Sequence, residues 1–255
     1  MEILGIDIGG SAIKVAVIDT STGRLLNERK KIATPEAFTP RQMAKAVAQV
    51  VHDLKWHGPL GVGFPGVIQG SRILTSDNLH KGFIGRDGGR LFSKATGLPV
   101  ALINDAAAAG LAEMTFGAGR GFNGKVLLLT LGTGVGSAIF FRGVLFPCEL
   151  GLLPFKGKSA EKYVASSVRS AQSLSWAEWG GRLSEYIGIL ETIYWPELII
   201  IGGGVSADHR KFFKFVKHRA KLVPAEFFND AGIVGAALWA RENGGAIHGL
   251  NIKTF

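Results

Sequence analysis

Two glycine-rich turns, each joining a pair of apolar, β-branched runs, recur about one domain length apart, and no other feature restricts the fold of this chain so tightly. Residues 3–10 and 13–20 are strand-like and meet at Asp7-Ile8-Gly9-Gly10-Ser11-Ala12-Ile13-Lys14. Residues 126–131 and 137–141 repeat the pattern around Leu131-Gly132-Thr133-Gly134-Val135-Gly136-Ser137. A strand, glycine turn, strand opening that occurs twice predicts a duplicated α/β unit. Two units also suit a chain of 255 residues, which is long for a single core.

Each opening continues in a similar way. Residues 24–33 offer a third strand of an antiparallel meander, and residues 40–55 form an amphipathic helix with Met43, Val47, Val50, Val51 and Leu54 on one face. A strand over 60–67 follows, and residues 70–97 read as loop and short helix. The apolar run 100–104 passes at Asp105 into an Ala-rich helix reaching Phe116. In the second half, residues 144–147 make the third short strand, residues 159–171 and 176–194 are helical, and Pro196 stops the second helix. Residues 198–201 form a buried strand ending in Gly202-Gly203-Gly204, and a last helix over 231–243 starts after the cap residue Asp230. These readings predict an N-terminal domain over 1–105 and a C-terminal domain over 106–230. The segment 231–255 is expected to pack back on the first domain, with the hinge at 104–109.

Hydrophobic residues at 47% and charged residues at 19% exclude a disordered, collagenous or coiled-coil chain. The uncharged stretch 126–141 is broken by glycines and falls short of the roughly 18 to 20 apolar residues of a spanning helix, so no membrane partner is expected. The first residues lack a basic n-region, which predicts a cytoplasmic protein. The lone Cys148 agrees with a reducing compartment and permits no multi-cysteine metal site. The formal charge of +9 points either to a polyanionic partner or to a solvated surface.

Asp7 closes a strand just before Gly9, Gly10 and Ser11. Glycines let backbone amides approach phosphate oxygens, and a carboxylate there suits a hydrated Mg²⁺; an ordinary hairpin turn is the competing reading. Gly132, Thr133 and Gly134 make a second such loop. Gly202, Gly203 and Gly204 follow a buried strand and precede a helical pattern, where a phosphate can rest on backbone donors. Asp105, between strand and helix, suits a general base and equally suits a helix cap.

In their order these motifs resemble the sugar kinases of the actin and hexokinase superfamily, and within it the ROK family. Leu60-Gly61-Val62-Gly63-Phe64-Pro65-Gly66-Val67, together with residues 104–113, 129–137, 193–195 and 231–237, is similar to the polyphosphate glucokinases and polyphosphate/ATP glucomannokinases. The resemblance spans nearly the whole chain. It implies a duplicated ribonuclease H-like α/β fold of two domains with an interdomain cleft, and a hexokinase using polyphosphate or ATP with Mg²⁺. It implies Asp105 as catalytic base and Asp7 as the anchor of Mg²⁺ through water. The phosphate grips would be Asp7, Gly9, Gly10, Ser11, Lys14, Gly132, Thr133, Gly134, Gly202, Gly203 and Gly204. Sugar contacts would be Pro65, Gly66, Asn78, Asn104, Asp105 and Glu149. A homodimer is implied as well.

The chain departs from the family in the sugar site. Where the family reads Glu-x-Gly-His, this sequence has Glu149-Leu150-Gly151-Leu152, and Pro154 replaces a second sugar-contacting Glu. Ala107 replaces an acidic residue common among the nearest relatives. An altered acceptor, or a protein that binds sugar or polyphosphate without turnover, therefore stands beside the kinase reading. The His and the Cys-rich motif of zinc-holding members are absent, so no zinc is expected.

The most basic segment is residues 209–221, with six Lys/Arg and no acid. On a helix Phe212, Phe215, Val216 and Arg219 would share a face. Arg210, Lys211, Lys214 and Lys217 would then be either a solvated face or a track for polyphosphate, with Lys14, Arg120, Lys125, Lys156 and Lys158 assisting. No helix-turn-helix precedes the kinase-like sequence, so nucleic acid is not the expected partner.

Overall fold

The computed structural model describes residues 1–34, 38–76 and 79–243. The chain divides into two compact units, Met1–Ala108 with the residues from Gly232 onward, and Ala109–Ala231. Asn78, a sugar contact expected from the sequence, lies outside the described residues, as do the positions of the C-terminal segment after residue 243.

In the first unit β1 (Glu2–Ile8) and β2 (Ala12–Asp19) form the antiparallel hairpin, with Asp7 opposite Lys14 and Ile8 opposite Ile13. The expected third strand is two pieces, β3 (Arg24–Leu25) and β4 (Lys30–Ala33), both paired with β2. Asn27 explains the break: its Oδ1 accepts the Val17 amide at 2.7 Å, and a side chain thereby takes a bond that a strand carbonyl would make. β5 (Leu60–Phe64) and β6 (Val100–Asn104) continue the sheet in parallel, giving the order β3-β2-β1-β5-β6.

Strand alternation decides what each face carries. Leu4, Ile6 and Ile8 turn to one side, where they pack with Met43, Val47, Val50 and Val51 of α1 (Pro40–Asp53) and Phe92 of α2 (Gly88–Thr96). Full burial of each such aliphatic side chain stabilises by roughly 1.5–3 kcal/mol. Thr39 and Gln42 cap α1 reciprocally, so the first turn satisfies its amides locally. Gly5 and Asp7 turn to the opposite face. β6 runs directly into α3 (Asp105–Phe116), whose Ala-rich sequence lets it be buried on almost all sides.

The second unit repeats the plan. β7 (Lys125–Leu131), β8 (Val135–Phe141) and β9 (Val144–Cys148) are antiparallel, and β10 (Leu198–Gly202) and β11 (Lys221–Pro224) add in parallel. The order β9-β8-β7-β10-β11 reproduces the order β3-β2-β1-β5-β6 of the first sheet, in which β4 is an additional strand on β2. Leu183, Ile187 and Leu190 of α4 (Trp176–Tyr194) pack with Leu127, Leu129, Ile199 and Ile201.

Two helical expectations are corrected here. Residues 159–171 hold two short helices, Glu161–Val164 and Ser166–Ala171, because Ala165 between them is extended. The basic segment is not one helix. It makes a turn of α-helix at His209–Phe212 and a 3₁₀ turn at Phe213–Phe215, and Val216 is extended. Ser184 of α4 ends it by donating to the Phe215 carbonyl at 3.0 Å and accepting the Lys217 amide at 2.8 Å. The buried Glu191 then takes the Arg219 and Ala220 amides.

The last helix, α5 (Ala231–Asn243), returns to the first unit. A side chain on Gly5 would strike the Ile233 carbonyl and one on Gly61 the Ala236 carbonyl, so the helix backbone rides directly on β1 and β5. Trp239 Nε1 fixes it by donating to the Leu102 carbonyl at 3.0 Å. No helix among the described residues is long and apolar enough to cross a membrane.

Candidate active site

Asp7 stands on the face of β1 that meets α5, opposite Lys14, whose Nζ donates to Asp7 Oδ2 at 2.9 Å. Gly232 lies against it: a Cβ there would come within 2.8 Å of Asp7 Cγ, so only glycine leaves room for this carboxylate. The turn is tied down by Thr34, which the sequence reading did not single out. Its Oγ1 donates to the Gly9 carbonyl at 3.0 Å and its amide to the Ser11 carbonyl at 3.1 Å. Gly10 and Ser11 stand exposed at the tip.

Asp105 begins α3 close to Asp7, and Gly63 lies between the Asp7 carboxylate and the Asp105 backbone. The cap role offered to Asp105 belongs to Asn104, whose Oδ1 accepts the Ala107 amide at 2.8 Å. Asn104 Nδ2 also donates to the Gly66 carbonyl at 3.0 Å, so one side chain joins the helix start to the Pro65-Gly66 loop. Freed from capping, Asp105 accepts the adjacent Ala106 amide at 2.8 Å. Asp105 retains some accessible surface, yet the protein packed around its carboxyl pushes its pKa up to about 7. Desolvation is the main cause and the Asp7 charge adds to it, while the Ala106 amide and Lys14 oppose them. A carboxylate that titrates near neutrality is suited to general-base work.

In the second unit the Gly132–Gly134 turn closes on itself, with the Gly132 amide donating to the Gly134 carbonyl at 3.0 Å. Ser167 braces it by donating Oγ to the Thr133 carbonyl at 2.7 Å and its amide to the Gly132 carbonyl at 3.1 Å. Gly203, at φ +81°, presses against the Leu131 backbone where a side chain would collide, which brings the Gly202–Gly204 run beside the second turn. The run leads into a 3₁₀ helix, Gly204–Asp208, rather than directly into an α-helix.

Glu149 follows β9 and opens the 3₁₀ turn Leu150–Leu152. The buried Ser137 holds both neighbours of Glu149, accepting the Leu150 amide at 2.9 Å and donating to the Cys148 carbonyl at 3.0 Å. Gly151 packs against the Val135 carbonyl with no space for a side chain. Leu152 is 40% exposed and Pro154 is exposed, so these two residues present apolar surface just after Glu149.

Of the basic segment, Lys211 pairs with Asp208 at 2.9 Å and Lys214 lies over the Phe215 ring. Arg210 and Lys217 are exposed. Among the described residues no three His, Cys, Asp or Glu side chains form a metal-holding group.

Each unit holds a sheet that opens on a glycine-turned hairpin, and residues 3–159 match the ROK family. The chain belongs to the ROK family. It is a sugar kinase of that family, a phosphotransferase with the actin and hexokinase superfamily fold. It is similar to the polyphosphate glucokinase of Mycobacterium tuberculosis (strain CDC 1551 / Oshkosh), with 42% identity over 236 residues, 92% of this chain and 89% of the relative. The crystal structure of the inorganic polyphosphate/ATP-glucomannokinase from Arthrobacter sp. strain KM matches with a TM-score of 0.91 and 42% identity over 94% of this chain and 99% of that one. A ROK family glucokinase from Streptomyces griseus, solved with glucose and AMPPNP, shares the fold at a TM-score of 0.81 and 23% identity, covering 95% of this chain and all of its own.

Proposed function

We propose that this ROK kinase transfers the terminal phosphoryl group of polyphosphate or ATP to a hexose hydroxyl, with Asp105 as base. The observation that carries the reading is the Asp105 carboxyl, pushed up to about 7 beside Asp7 and Lys14 at the start of α3. In the reaction Asp105 takes the proton of the attacking hydroxyl, the sugar oxygen bonds to the terminal phosphorus, and the bond to the bridging oxygen breaks. The shortened polyphosphate or ADP leaves with that electron pair. Amides of the Gly9–Ser11 and Gly132–Gly134 turns, with Lys14, would hold donor oxygens, and the Gly202–Gly204 run would support the rest of the donor.

Asp7 fits a hydrated divalent cation: it is a carboxylate with a small exposed fraction, and its cationic neighbour Lys14 is exchangeable in charge with such an ion. Mg²⁺ held there through water would neutralise charge on the donor phosphates. Pro65, Gly66, Asn104 and Glu149 would orient the acceptor, and Asn104 does so through the loop it tethers. Arg210, Lys211, Lys214 and Lys217 would contact polyphosphate, and the chain would act as a homodimer, which light scattering of the purified protein reads directly.

A second reading concerns the acceptor. Leu152 and Pro154 put apolar surface where the family has polar sugar contacts, which favours a changed or relaxed acceptor over a dead enzyme, since Asp105 and the three glycine segments are kept. The test is Asp105→Asn. Retained sugar and donor binding with loss of phosphosugar supports the assignment; an unchanged rate removes Asp105 from it.

A further inference from the structure

The unit Ala109–Ala231 carries a row of cations seated on two aromatic rings. Lys156 Nζ, Lys158 Nζ and Arg182 Cζ lie 4.8, 5.6 and 4.8 Å from the centre of the Tyr163 ring. Arg169 Cζ lies 3.7 Å and Lys211 Nζ 5.6 Å from the centre of Trp176. Acids balance only part of this charge. Glu185 pairs with Lys156, Asp208 pairs with Lys211, and Glu178 lies near Arg182 while capping α4. Among the described residues no carboxylate lies within ion-pair distance of Lys158 or Arg169.

The row is attached to the second glycine turn. Ser167, which holds the Gly132 and Thr133 carbonyls, belongs to the same short helix as Arg169. Arg169 Nη1 donates to the Leu174 carbonyl at 3.0 Å, and Arg182 Nη1 donates to Gln172 Oε1 at 2.9 Å just past that helix. Ring contacts and these bonds hold the guanidinium groups in place before any ligand arrives, which lowers the entropy cost of binding.

We propose that this row is a subsite for the distal residues of a linear polyphosphate, and that Arg169 and Arg182 are donor-length determinants. The proposal rests on polyphosphate as donor in the reading above. The rings discriminate between polyanions. Single-stranded nucleic acid binds by stacking bases on open aromatic faces. Here Tyr163 is covered by three cations, while Trp176 is covered by Arg169 and stacked on Phe212 at 5.8 Å. What the row offers is charge without a stacking platform, which suits a polyanion without bases.

The experiment compares the parent with Arg169→Gln/Arg182→Gln, using long-chain polyphosphate and tripolyphosphate as donors over a range of salt. The ratio of kcat/KM for the long chain to that for tripolyphosphate is expected to fall about tenfold, the order produced by losing two half-buried charge contacts. The slope of log KM against log salt for the long chain should flatten by about 1.4–1.8, at 0.7–0.9 per lost contact. Arg169→Lys/Arg182→Lys should restore most of both, and Lys45→Gln/Lys94→Gln in the first unit should leave the ratio at its parental value.

An unchanged ratio and slope in a Gln variant of parental Tm overturns the proposal. So does displacement of polyphosphate by single-stranded DNA of equal charge at equal concentration. Filter binding of long-chain polyphosphate without sugar separates this failure from failure of the donor reading. A parent that binds the chain in a manner lost in the Gln variant supports the subsite even if no polyphosphate is consumed, and a parent that does not bind it rules the subsite out.

Discussion

Lys14 Nζ lies 2.9 Å from Asp7 Oδ2 across the first hairpin, and this pair sets much of the field that Asp105 experiences. Burial and the Asp7 charge raise Asp105, and Lys14 pulls the other way. A base works only when ionised, so kcat should rise with pH, reach half its maximum at about pH 7 and level off well above it. Lys14→Gln removes the opposing charge and should move the acid limb of the kcat profile to higher pH. A limb that stays in place or moves to lower pH would contradict the account of this carboxyl.

The same shift has a stability consequence of opposite sense to that of a salt-bridged carboxylate. Because the folded pKa of Asp105, about 7, exceeds the ordinary aspartate value of 3.8, the folded state binds more protons between these two values. Stability contributed by this group is therefore present at low pH and lost as pH rises towards about 7. Asp105→Asn should accordingly stabilise the protein, by roughly 2–4 kcal/mol above pH 7 and by close to nothing near pH 4. Urea unfolding at several pH values measures the difference. The same variant should lose roughly 10²- to 10⁴-fold in kcat, the usual contribution of a general base.

Gly232→Ala places a methyl group within 2.8 Å of Asp7 Cγ. The carboxylate must move, and the expected result is a fall in kcat with an increased requirement for Mg²⁺. Activity titrated against Mg²⁺ reads both effects; parental values in the variant would show that Asp7 does not need its position.

Ser137→Ala removes one hydroxyl and with it the bonds to the Leu150 amide and the Cys148 carbonyl. Removing this partner from the buried Leu150 amide should cost about 1–3 kcal/mol. Since Ser137 holds both neighbours of Glu149, KM for the sugar should rise more than KM for the donor. Equal changes in the two would assign Ser137 to stability alone.

How much of this was legible in the sequence follows from where the information resides. The hairpins, the parallel strands and the Asp105 helix come from local apolar periodicity and glycine turns, and the repeated strand order follows from their recurrence. Side-chain intervention was not legible. Asn27 breaks the third strand, and Ser184 ends the basic segment by bonds made 31 and 33 residues away in sequence. Asp and Asn are both good caps, so only the bond from Ala107 to Asn104 shows that Asn104, and not Asp105, caps α3. Thr34, Ser137 and Ser167 bear no motif, because their roles are to hold carbonyls and amides of turns made elsewhere in the chain. The importance of Gly232 appears only when α5 is seen against Asp7.

The measurement that most directly tests the central claim is direct detection of separated phosphosugars after incubation with Mg²⁺ and polyphosphate or ATP. Glucose, mannose, fructose and N-acetylated hexoses would be offered in turn, without coupling to an enzyme that presumes glucose 6-phosphate. The account predicts a phosphosugar from at least one pair, abolished by Asp105→Asn. Absence of product from every pair, in folded protein, would contradict hexose phosphorylation by this chain.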